Sequence, residues 1–214
     1  MNSIELKNTL PQVFSGRDKI ESQVWHNSIT LNRGEKYLIE AASGTGKSSF
    51  CSYIYGYRDD YQGLICFDGV NIRNYSIKQW TEIRKRSLSM LFQELRLFPE
   101  LTAMENVQIK NSLTHHKSKK EIESLFELLG IADKMDAKVQ KMSFGQQQRV
   151  AFIRSLCQPS DFIFLDEPIS HLDTENAKIL SSILTEESDK TGCGVIVTSI
   201  GKHLELNYNK TFAL

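Results

Sequence analysis

Hydrophobic positions along this chain follow two rhythms. Near the start they come in short β-rich runs at 4–7, 23–26, 29–31 and 64–67, each bounded by turn residues. Asp68-Gly69 closes the last run with a strong turn signal. Among them, Lys36-Tyr37-Leu38-Ile39-Glu40 predicts a strand that enters a glycine-rich loop, with a helix following from 47 to about 57. The middle is helical: Thr102 with Glu105, and Ser118 with Glu121, have capping-box spacing. Ile122, Leu125, Phe126 and Leu129 then recur at helical intervals, and Gly130 is a stop. The last third alternates again, with a helix at about 144–157, an apolar strand at 162–165, a helix at about 174–190, an apolar strand at 194–198 and a short strand near 211–214. Continuously apolar strands alternating with helices predict a buried parallel sheet in an α/β fold.

Composition narrows the classes. The 214 residues carry 26 Lys plus Arg against 26 Asp plus Glu, a formal net charge of zero, so no basic excess points to nucleic acid. No run approaches the roughly 20 apolar residues needed to cross a bilayer. Met1-Asn2-Ser3-Ile4-Glu5 lacks a basic stretch followed by an apolar run, so no signal peptide is expected. The expectation is a cytoplasmic protein whose membrane link runs through a partner. Cys51, Cys66, Cys157 and Cys193 lack metal-site spacing and read as free thiols, and His115-His116 reads as a solvated loop.

Ala41-Ala42-Ser43-Gly44-Thr45-Gly46-Lys47-Ser48 follows a strand and opens a helix, as a phosphate-binding loop must. The first glycine of the usual pattern is Ala41, which requires a negative φ there. Backbone N–H groups around Gly44, Thr45 and Gly46 can point at a phosphate, helped by the helix's positive end. Lys47 would reach the β- and γ-phosphates, Ser48 would bind Mg²⁺, and Ser49 can contact the α-phosphate. The strand at 162–165 delivers Asp166 and Glu167 at its carboxyl end, where α/β sheets bind ligands. Asp166 suits a Mg²⁺ shell, through water. Glu167 suits a general base for an attacking water. As neighbours on a strand the two are expected to point different ways. A second anion turn, Ser143-Phe144-Gly145-Gln146, heads another helix. One phosphate loop holds one nucleotide, so the second turn makes sense when it closes over a nucleotide held by another copy of a similar protein.

The order of these motifs resembles the nucleotide-binding domain of ATP-binding cassette (ABC) proteins over nearly the whole chain. The loop is similar to Walker A, and Met142-Ser143-Phe144-Gly145-Gln146 to the signature L-S-G-G-Q, with Met142 for leucine and Phe144 for the first glycine. Residues 162–167 resemble Walker B with its glutamate, Ser170-His171-Leu172-Asp173 the D-loop, and Leu91-Phe92-Gln93 the Q-loop. The resemblance implies a RecA-like P-loop NTPase core with a mainly parallel sheet, an N-terminal antiparallel β subdomain and a helical subdomain. It would form one domain over 1–214, with 1–93 and 143–214 as core plus β subdomain and 94–142 as the helical part.

It also implies roles. ATP and Mg²⁺ are the cofactors. Gln93 joins the Mg²⁺ shell and senses a membrane partner, and Asp173 belongs to the D-loop. Phe14 sits where the family stacks an aromatic on adenine, although a buried core Phe fits the sequence as well. Two domains pack head to tail, identical or different, and a separate transmembrane permease is driven by hydrolysis. The family's histidine after the last core strand is replaced by Ser199, with His203 four residues on. The compact form with Leu95-Arg96-Leu97-Phe98-Pro99 looks most like the branch of lipoprotein release, macrolide-type export and the cell-division cassette. Two other readings stand beside the transport ATPase: an ATP-controlled dimerising clamp with weak hydrolysis, and a small-molecule kinase, for which no acceptor pocket is evident.

Overall fold

The computed structural model describes residues 1–16, 20–42 and 44–214. The first strands, β1 (Ser3–Pro11), β2 (Ser28–Asn32), β4 (Tyr61–Phe67) and β5 (Val70–Asn71), form an antiparallel sheet in the order β2-β1-β4-β5. A second sheet has the order β6-β7-β8-β3-β9, from β6 (Leu88–Leu91), β7 (Phe162–Asp166), β8 (Gly194–Ser199), β3 (Lys36–Glu40) and β9 (Lys210–Ala213), and every pairing in it is parallel. The helices are α1 (Lys47–Ile54), α2 (Ile77–Arg86), α3 (Ala103–Asn111), α4 (Lys119–Leu128), α5 (Phe144–Ser155) and α6 (Thr174–Thr191).

The central strands β7 and β8 are apolar on both faces up to their carboxyl ends, because each face of the parallel sheet has its own core. Phe162, Phe164 and Ile196 point to the side shared with α1 and the antiparallel sheet. Ile163, Leu165, Val195 and Val197 point to the side packed by α3, α4, α5 and α6. Burying each such side chain contributes about 1.5–3 kcal/mol.

Several sequence expectations shift. Residues 23–26 form a turn instead of a strand: the Ser22 hydroxyl accepts from the amides of Val24 and Trp25, and His26 has φ 58°. The first helix ends at Ile54, because Tyr55 caps it and Gly56 turns away at φ 69°. Helix α2 and strand β6 lie in a stretch where the sequence predicted neither. Ser76 and Gln79 form a full capping box there, and the partly buried Trp80 and Ile83, three residues apart, pack α2 against the core. The boxes at Thr102 and Ser118 form as expected. Among the described residues no helix is long and apolar enough to cross a membrane.

Candidate functional site

Strand β3 carries the chain into the phosphate loop between β8 and β9. The Ala41 amide donates to Ser199 O at 3.0 Å, and Ala41 is not among the positive-φ residues, as its Cβ requires. Gly44 and Gly46 take φ values of 80° and 99°. A Cβ at Gly46 would stand 2.9 Å from Phe14 Cε2 and 3.2 Å from Trp25 Nε1. The Trp25 indole also donates to Thr45 O at 2.9 Å, so the turn at 23–26 supports the loop from below. Phe14 is 5% exposed and belongs to the core beneath the loop, which leaves it no solvent-facing ring for adenine. Ser43 lies outside the described residues.

Gly46 is the N-cap of α1. Among the described residues α1 is the one α-helix without a side-chain cap, since the other five are capped by Ser76, Thr102, Ser118, Ser143 and Asp173. Its first turn holds no acid. The amides that the other helices satisfy internally are therefore directed at whatever occupies the loop, and they suit an anion. Lys47 begins the helix and is buried, which lowers its pKa against the opposing pull of Asp166. Ser48 is exposed at the helix start, and the buried Ser49 hydroxyl accepts from Arg58 Nη1 at 3.1 Å.

The acidic strand end meets the loop across β8. Asp166 is buried and accepts from Thr198 Oγ1 at 2.5 Å. Glu167 leaves the strand at φ 50°, with its amide on Thr198 O at 3.1 Å. That left-handed step overturns the expectation of diverging carboxylates. Lys47 Nζ pairs with Glu167 Oε1 and lies 3.6 Å from Asp166 Oδ1, so both acids face one ammonium. Gln93 is exposed just past β6, at the same end of the sheet as Asp166.

Ser199, at the position where the resemblance implies a histidine, is held within its own loop. Ser199 is 2% exposed and its hydroxyl donates to Lys202 O. His203 Nδ1 contacts Leu204 O at 3.0 Å, its ring lies edge-on to Tyr208, and it lines a cavity with Asp173. Among the described contacts both side chains are held by their own segment.

The second anion turn lies on the other flank. Ser143 and Gln146 cap each other, with Gln146 N to Ser143 Oγ at 3.3 Å and Ser143 N to Gln146 Oε1 at 3.0 Å. The half-exposed Phe144 packs its ring 4.2 Å from that of His171. A Cβ on Gly145 would come 3.1 Å from His171 O, which explains that glycine. Asp173 caps α6, and its bonds from Asn176 hold its carboxyl below the usual range. Sequence reasoning missed Thr198, Trp25, Arg58 and Gln148. The hydroxyl directly before Ser199 was the one available signal among them.

A family model described as ABC transporter matches residues 25–170. The lipoprotein-releasing system ATP-binding protein LolD of Aquifex aeolicus (strain VF5) is 34% identical over 185 residues, 85% of this chain and 82% of that protein. The probable ABC transporter ATP-binding protein PEB1C of Campylobacter jejuni (strain 81-176) is 30% identical over 200 residues, 92% and 79% of the two chains. The dimeric structure of MJ0796, a bacterial ABC transporter cassette, matches with TM-score 0.77 and 26% identity over 91% of this chain and 87% of that one. A post-hydrolysis MJ0796 dimer bound to ADP and Pi matches with TM-score 0.74 and 26% identity over 92% and 87%.

Proposed function

The chain belongs to the ABC transporter family as an ATP-binding cassette, and from that premise we propose that it hydrolyses Mg-ATP at a head-to-tail dimer interface to drive a separate membrane permease. The observation that carries this reading is the meeting of Lys47, Asp166 and Glu167 at the head of the uncapped helix α1. Triphosphate oxygens are better partners for Lys47 than Glu167, because they also take the loop amides. Their arrival frees the Glu167 carboxylate to accept a proton from the attacking water.

The donor set fits a magnesium ion: Ser48 at the helix start, Asp166 through water and Gln93 beyond β6 would hold it. When bound it supplies charge neutralisation between the β- and γ-phosphates. The turn of Ser143, Gly145 and Gln146 would complete the site of the opposite subunit, in an identical or a different cassette. Asp173 would stand beside it.

The clamp reading gains nothing from the comparisons, one of which is a post-hydrolysis state with ADP and Pi. The permease reading has its own support in a groove of about 260 Å³ lined by Tyr55, Tyr57, Phe92, Ile109, Lys110 and Arg154, among other residues. Among the described residues no carboxylate lines it, so it suits an apolar segment bearing an acidic side chain. Similarity to LolD favours the lipoprotein-release branch, with the cassette cytoplasmic at the inner face of the cell membrane. Slow turnover of Mg-ATP by the purified chain, abolished by Lys47→Ala, is the expected result. Absence of turnover in the presence of its permease would overturn the motor.

A further inference from the structure

Four contacts tie the first turns of α5 to residues 167–176. Phe144 lies on the His171 ring, and Gly145 packs closely against His171 O. One turn further on, Gln148 Nε2 donates to Glu167 O at 3.2 Å. Arg149 Nη1 donates to Asn176 Oδ1 at 3.0 Å, and Asn176 in turn bonds Asp173. The helix that begins at the second anion turn is therefore fastened along its start to the segment that begins with the general base.

Gln148 is the member of this set that reaches Glu167 itself. It is 1% exposed, its amide nitrogen makes that one hydrogen bond, and its Oε1 has no partner among the described residues. Burying a side-chain amide with half its capacity unused is costly, so a purely space-filling role would be better served by leucine or methionine. The carbonyl it holds belongs to a non-glycine residue at φ 50°, a conformation that persists only where its surroundings enforce it. The direction of the Glu167 side chain follows from that backbone.

We propose that Gln148 is a positioning residue that couples the second anion turn to the general base, so that an anion engaging Ser143 and Gly145 sets the backbone of Glu167 through α5. The coupling rests on the assignment of Glu167 above. It makes each half-site report to its own subunit's base when the opposite nucleotide docks.

The test is Gln148→Met, which keeps the volume and removes the donor. Turnover of Mg-ATP is expected to fall about tenfold, the loss of one buried hydrogen bond felt mainly in the transition state, while KM changes less than twofold. Without nucleotide, hydrogen-exchange mass spectrometry should show residues 167–176 exchanging faster than in the wild type. If Gln148→Met does not fold, Gln148→Glu, of the same shape with an acceptor in place of the donor, carries the same readouts. A kcat within twofold of wild type, a KM that rises as much as kcat falls, or unchanged exchange in that segment would overturn the coupling. Glu167→Gln measured alongside separates the two ideas, since wild-type turnover in that variant would remove the general base and not Gln148's contact.

Discussion

Lys47 pairs with Glu167 across β8, so the cation proposed for phosphate and the carboxylate proposed for water hold each other. In the proposed mechanism the pair would make nucleotide binding and activation of the base one event. Glu167→Gln removes the competitor for Lys47 as well as the base. Turnover is therefore expected to fall by about 10²-fold or more, while ATP affinity rises and the variant elutes as a dimer with ATP on gel filtration. Monomeric elution at millimolar ATP together with unchanged affinity would mean that the pair does not compete with phosphate.

Gly46 offers a cleaner test of the loop. Gly46→Ala meets two penalties: φ 99°, and a Cβ driven to 2.9 Å from Phe14. Gly69→Ala meets the first alone, since it has φ 79° and nothing within 4 Å. The control should cost about 1–2 kcal/mol and leave ATP binding intact. Gly46→Ala should lower Tm further and weaken ATP binding more than tenfold. Equal effects in both variants would show that the Phe14 contact yields at no cost.

Much of this site was legible before any coordinates, because phosphate chemistry demands local patterns. A loop between a strand and a helix, a carboxylate pair ending an apolar strand and a serine heading a helix are all set within a few residues, and each formed. What escaped depends on contacts between distant segments. Glu167 takes φ 50° where Thr198 and Gln148 hold its backbone, and no spacing in 162–167 encodes them. Residues 23–26 read as a strand from Val24 and Trp25, yet the Ser22 hydroxyl wins their amides for a turn. Helix α2 hid because its apolar stripe, Trp80 and Ile83, is short and lies in a strongly charged segment.

Ser199 stands where the family resemblance implies a histidine, and its contacts are local. Its hydroxyl is committed to Lys202 O inside its own loop. Ser199→Ala is therefore expected to change kcat less than about threefold, since an electrostatic catalyst would show about 10²-fold or more on removal. Steady-state turnover decides it, and a loss of that size would return Ser199 to the reaction.

Lys110 gives the groove a pH signature. Burial, reinforced by the neighbouring Arg154 charge, lowers its pKa to about 8, and its ammonium donates to Arg84 O at 3.3 Å. Arg96 and Arg154 line the same groove, and Glu94, paired to Arg96, does not line it. Between about 8 and the unfolded value of about 10.4, the unfolded chain keeps a proton that the folded chain has released. Stability attributable to Lys110 therefore rises with pH across that window, and its full penalty applies below about 8. Lys110→Met should accordingly have a higher Tm than the wild type at pH 7, with the difference shrinking as pH approaches 10. A carboxylate seated in the groove would raise the Lys110 pKa and cancel the penalty, so binding of the permease should erase the Tm advantage of Lys110→Met at neutral pH. A gap that stays constant with pH would place Lys110 in water and remove the groove's claim on an acidic partner.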